Sequence, residues 1–196
     1  MIDLDFLGPS GDLGVIIRTP ETNFILHDGL NKEIIAKIAP RLMNLMIVKA
    51  NGRAYIAFYG RESVAVVKDL LRYIYLGDYY MTKAFIEAGT SLLLHVQMVK
   101  VAQIYELDVL EIQARHYLTG EISLASRRKM LAVDLVEAIR FAYLELRDDE
   151  YVKEELANYC KSASAPQSAM RDRFTTKRSQ SPQSELTRSA TLTTLL

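Results

Sequence analysis

The sixteen residues from Ser91 to Glu106 constrain this chain more than any other stretch. They read SLLLHVQMVKVAQIYE, and wound as a helix they are apolar on almost every side, with Gln97, Lys100 and Gln103 as a narrow polar line. Such a helix has no solvent face of ordinary width, so it belongs at the centre of a fold with other elements packed round it. The rest of the chain must supply those elements.

Upstream the pattern favours strands. Asp12 to Arg18 is β-branched and apolar, Thr19–Thr22 has turn chemistry, and Asn23 to His27 reads as the second strand of a hairpin. Asp28 is placed to cap a helix reaching about Ala39, where Pro40 disturbs the pattern. Asn51-Gly52 marks a turn before a strand over Ala54–Tyr59, with Tyr55, Ala57 and Tyr59 on one face and Ile56 and Phe58 on the other. Val64, Val67, Leu71 and Ile74 form one helical stripe that stops at Gly77.

Downstream of the central helix, Asp108 with Glu111 has the form of a capping box, and Leu107 with Ile112 that of a hydrophobic staple. That helix is expected to end near Leu118–Gly120. A further helix places Leu131, Leu135, Ile139, Ala142 and Leu146 on one face, and residues 151–159 complete the set. Hairpin strands followed by five or six helices predict an α+β fold, with helices packed on a small sheet.

Lys+Arg and Asp+Glu are both 24, so the formal net charge is zero, which argues against a dedicated nucleic-acid binder. The charge is unevenly spread. Residues 161–196 carry 6 basic, 2 acidic and 13 Ser/Thr residues, with few large apolar residues before Leu192. This basic tail is expected to be disordered. Residues 1–10 read as a flexible leader, 11–120 as the main domain and 121–160 as a helical extension. No stretch approaches the roughly 20 apolar residues of a membrane span. The single cysteine, Cys160, excludes an internal disulfide framework. The chain is therefore expected to be intracellular, cytoplasmic or nuclear.

Catalytic patterns are missing from the sequence. There is no glycine-rich phosphate loop, no nucleophile elbow and no HExxH, and His27, His95 and His116 include no pair at i, i+4. His95, in the most apolar helix, reads as a buried structural histidine. His27 beside Asp28 allows an acid–base pair or a strand-end imidazole bonded to backbone. Cys160 reads as an inert thiol. The expectation is a chain that is not an enzyme and takes no cofactor or metal. Two features suggest contact with other proteins. Met43, Leu45, Met46, Ile47 and Val48 crowd a short segment, either as a partner patch or as a cap on the core. Tyr79-Tyr80 form either a binding surface or a loop closure. Thr175 to Pro182 is either a phosphorylation-controlled docking segment or plain solvated tail.

The segment Glu62–Tyr80 (ESVAVVKDLLRYIYLGDYY) resembles the helix and "YtGdY" exit of a BTB/POZ domain. Leu92–Leu118 resembles that family's following helix pair, keeping the register of its Leu-rich start with His95, then Ala102, Tyr105, Leu110 and Ala114. Asp12-Leu13 and the strand ending at His27 resemble its opening. The likeness is greatest to the short fungal members and covers about residues 10–145.

It implies a non-enzymatic protein–protein interaction module acting as a scaffold or oligomerisation domain, with a homodimer formed through about Asp12 to Ala39. The alternative it implies is a substrate adaptor for a cullin-type ubiquitin ligase. The scaffold would then be contacted through Met46, Ile47 and Val48 and through Leu107 and Asp108. Two departures stand out. Asp28 follows His27 where the family has Lys, and the loop Asn44–Arg53 lacks the Glu of cullin-binding members.

Overall fold

The computed structural model describes residues 11–19, 22–59, 62–79, 91–128 and 131–162. The leader at 1–10, Tyr80 and the tail from 163 onward lie outside them.

The fold is α+β. Strands β1 (Leu13–Arg18) and β2 (Asn23–Leu30) form the expected antiparallel hairpin, and β3 (Met46–Val48) pairs antiparallel with β4 (Ala54–Phe58). Strands β1 and β4 join the two hairpins in parallel, so the sheet order is β2-β1-β4-β3. A parallel pair needs a crossover; here β2, helix α1 (Lys32–Ile38), a 3-10 turn (Pro40–Leu45) and β3 supply it. Period-2 alternation sorts the sheet faces. Leu13, Val15, Ile17, Ile56 and Phe58 face the helices, while Ile16, Tyr55 and Ala57 form a small second cluster capped by Ile47. A Cβ on Gly14 would lie 2.4 Å from the Tyr55 ring, so this close crossing requires glycine.

Two expectations change in this half. Asp28 does not cap α1. It pairs with Gly14 inside β2, and its carboxylate meets Arg53 at 2.7 Å. Asn31 is the cap, its Oδ1 accepting from the amides of Glu33 and Ile34. Met46–Val48 is an edge strand rather than a loop, because β4 offers it an open side to pair with.

Helix α2 (Val64–Leu76) is capped by Ser63 and closed by Gly77 at φ 75°. Nothing lies within 4 Å of a Cβ built there, so Gly77→Ala should cost about 1 kcal/mol from backbone strain alone. Urea unfolding would read this as a lowered midpoint at unchanged slope. Helix α3 (Leu92–Tyr105) is the central one, with nine buried side chains. Its polar line is used internally: Lys100 donates to the Glu145 carbonyl, and Gln103 bonds Glu111 and Asp149.

Helix α4 (Asp108–Arg128) passes through Gly120 instead of ending there. A mid-helix glycine costs about 1 kcal/mol, and burial of Leu118 and Ile122 on either side outweighs that. Nor does the capping box form, since the Glu111 carboxylate is held by Arg115 and Gln103. Helices α5 (Leu135–Glu145) and α6 (150–162) follow. One core runs from Leu13 through Leu135, Ala142 and Leu156 to Tyr159. The described residues of 121–160 share one core with those of 11–120. Leu131, expected on the buried face of α5, is 62% exposed.

Candidate functional site

Two places concentrate the residues singled out above. The first is the corner between α3 and α4. Glu106 closes α3 in the left-handed region at φ 53°, and the Leu107 amide bonds back to the Ala102 carbonyl at 2.9 Å. These bonds satisfy terminal carbonyls of α3 and aim the chain directly into α4. Leu107 is buried beneath the corner, and Asp108 begins α4 exposed to solvent. An ion pair from Arg41 to Glu106 ties the 3-10 turn that leads into β3 to this corner.

Helix α4 then buries Leu110, Ala114 and Leu118 while turning Val109 (67% exposed) and Ile112 (69% exposed) to solvent. Ile112 therefore makes no buried staple with Leu107. On β3, Met46 and Ile47 are half-buried against the two clusters, and Val48 is 64% exposed. The predicted partner residues thus divide. Val48 and Asp108 are open to solvent, Met46 and Ile47 cap the core in part, and Leu107 supports the corner from within.

The second place is buried. The Tyr79 ring is wholly enclosed, its hydroxyl 3.0 Å from His95 Nδ1. Tyr117 completes a three-ring cluster with ring centroids 5.4–5.8 Å apart, Tyr79 edge-on to both other rings, and the Tyr117 hydroxyl donates to Asp78 at 3.0 Å. Tyr79 is core and not a binding surface, a correction at the half of the tyrosine pair that is described. Its hydroxyl pKa is raised by burial and by Tyr117, Asp69 and Asp78. Burial pushes the His95 imidazole down to about 3, so it is neutral at physiological pH.

Asp69 is the residue the sequence reading passed over. It lies at i, i+3, i+7 spacing with Val66 and Tyr73, so that spacing already placed it on the buried stripe of α2. It is 2% exposed, and its Oδ2 has no hydrogen-bond partner among the described residues. Burial raises its pKa to about 7, against opposing pulls from Arg72 and Lys68.

The remaining candidates are separate from both places. The Asp28 carboxylate is engaged by Arg53, and His27 Nε2 is buried without a partner, so no acid–base pair forms between them. Cys160 is a free, half-buried thiol. Arg115 is taken up by Glu111 (2.6 Å) and Asp149 (2.7 Å), clamping α4 to the segment before α6. Among the described residues no group of three His, Cys, Asp or Glu side chains could hold a metal ion. No helix there is long and apolar enough to cross a membrane. The sequence matches no family model and no curated protein.

Proposed function

We propose that this chain is a protein–protein interaction module of BTB/POZ type, working as a scaffold through exposed apolar side chains at the α3–α4 corner. The observation that carries the reading is the pair Val109 and Ile112. They stand in solvent on the helix that buries Leu110 and Ala114 on its other side. Apolar residues three apart on one outer helix face have the form of a helix-borne contact. Phe24 and Ile25 on the outer strand β2, with Ile38 on α1, are also exposed. They supply an apolar surface for self-association within Asp12–Ala39.

A second reading, substrate adaptor for a cullin-type ligase, draws support from the Arg41–Glu106 pair. That pair holds the approach to β3 against the start of α4.

Ile112→Asp is the discriminating variant, because a residue this exposed contributes little to stability, within about 0.5 kcal/mol. Ile47→Asp would be a poorer choice, since Ile47 packs on Ile16, Tyr55 and Ala57. Light-scattering mass after size exclusion is measured for the chain alone and with the N-terminal half of a cullin scaffold. Co-elution with the cullin fragment that Ile112→Asp abolishes supports the adaptor reading. A self-associated species that ignores the cullin and that Ile112→Asp dissociates supports the scaffold. A monomer that binds nothing, wild-type and variant alike, would sink both.

A further inference from the structure

A groove of about 880 Å³ runs between the start of α2, α3 and α5. Its floor and walls include Val101 and Ile104 from α3 and Phe141 and Leu144 from α5, with Ile104 42% and Leu144 53% exposed. Glu62, Glu137 and Glu145 line it together with Lys100 and Arg140, a net charge of −1. Lys100 is turned toward the end of α5, where it donates to the Glu145 carbonyl.

We propose that this groove is a docking site for the chain's own segment Met170–Arg178, with Met170 and Phe174 as its apolar anchors. An outside partner would then have to displace it. Three observations place that segment there.

The first is where the described residues end. The Tyr159 hydroxyl accepts from the Ala132 amide at 3.0 Å, and the Asp134 carboxylate accepts from the Leu93 amide at 2.8 Å. The end of α6 therefore sits by the starts of α5 and α3, and Leu93 also lines the groove. The eight steps of chain from Ser162 to Met170 span up to about 27 Å, enough to pass round one helix of about 10 Å diameter.

The second is spacing. Met170 and Phe174 are four apart and would share one helix face, the pattern by which an amphipathic segment fills an apolar groove.

The third is charge. Arg171, Arg173, Lys177 and Arg178 against Asp172 give this segment +3, opposite to the groove. The later apolar residues Leu192, Leu195 and Leu196 have no charge after Arg188 and do not match it. A short tether supplies an effective concentration on the order of 1 mM, so even weak intrinsic binding keeps the groove covered. This inference does not rest on the α3–α4 corner, and its failure would leave the corner's test unaffected.

The test uses the full chain with photoreactive benzoylphenylalanine in place of Phe174. Light-induced links should map to Val101, Ile104, Phe141 or Leu144. In an equal mixture of isotope-labelled and unlabelled chains, well below about 1 mM, the links should join residues of the same chain. Leu144→Glu should lower the yield about tenfold while the circular dichroism spectrum and melting midpoint stay unchanged. Arg171→Glu with Arg173→Glu, which reverses the segment's charge, should lower it at least threefold. Links that join labelled to unlabelled chains would assign the groove to a second copy and overturn the proposal. So would links elsewhere, no links, or a yield indifferent to both sets of substitutions.

Discussion

Replacing Asp69 by asparagine is expected to stabilise the protein by roughly 2–4 kcal/mol at about pH 7.5 and to turn a nearly flat pH profile into one that climbs with pH. The cause is a carboxyl on the buried stripe of α2, with one oxygen unpaired and a pKa raised from 3.8 to about 7. Lys68 and Arg72 on the same helix pull it down, and Tyr79 faces it, but burial outweighs the attraction. A group whose folded pKa is raised adds stability fully below its unfolded value. That contribution is lost as pH rises toward 7, because the unfolded chain releases the proton first. By pH 7.5 the folded state holds a desolvated charge that the amide lacks.

The wild-type profile conceals this loss. His95 has its folded pKa pushed down from 6.5 to about 3, so its contribution is full above 6.5 and lost as pH falls. Between about pH 4 and 6.5 the Asp69 contribution falls with pH while that of His95 rises, and the two nearly cancel. Asp134, raised by burial, adds to the Asp69 slope just above the usual carboxylate range, whereas Asp149, lowered overall because its hydrogen bonds to Arg115, Val152 and Gln103 outweigh its burial, acts below that range and outside this window. Wild-type stability should therefore be close to flat in this window, and Asp69→Asn should climb steadily through it. Urea unfolding at several pH values measures both slopes. An asparagine variant that tracks wild type at every pH would mean that the carboxylate carries no burial penalty.

Those two groups also mark what was legible in the sequence. The central helix could be read because apolar residues on every side leave it only one position in a fold. Its histidine could be read as structural for the same reason. Asp69 was equally readable from its spacing with Val66 and Tyr73, and went unread because Lys68 and Arg72 beside it look like a solvent face. Strand β3 had no such signal. Three residues are too short to show alternation, and Met46–Val48 becomes a strand only because β4 lies beside it. The continuation of α4 past Gly120 depends likewise on what Leu118 and Ile122 meet in three dimensions. At the corner, an apolar Ile112 looks the same in sequence whether it staples a helix end or stands in solvent. The Tyr79-Tyr80 pair carries no signal in sequence that the Tyr79 ring is enclosed.

Removing His95 should produce the mirror image of the Asp69 result. His95→Ala deletes a ring from the most buried helix, takes away its contacts with Tyr79 and Tyr117, and strands the Tyr79 hydroxyl. A loss of about 3–5 kcal/mol is expected, on the scale of other buried aromatic truncations. That is large enough to threaten folding in a domain of ordinary stability. His95→Phe keeps a ring in place and limits the loss to roughly 1–3 kcal/mol, chiefly the unpaired Tyr79 hydroxyl. With the imidazole gone, only the Asp69 contribution remains between about pH 4 and 6.5, so stability should fall as pH rises. The double variant, Asp69→Asn with His95→Phe, should return to a flat profile at a different height. Slopes of opposite sign in the single variants and none in the double would assign the balance to these two buried groups. A His95→Phe profile parallel to wild type would place the titration elsewhere and leave His95 a purely steric part of the core.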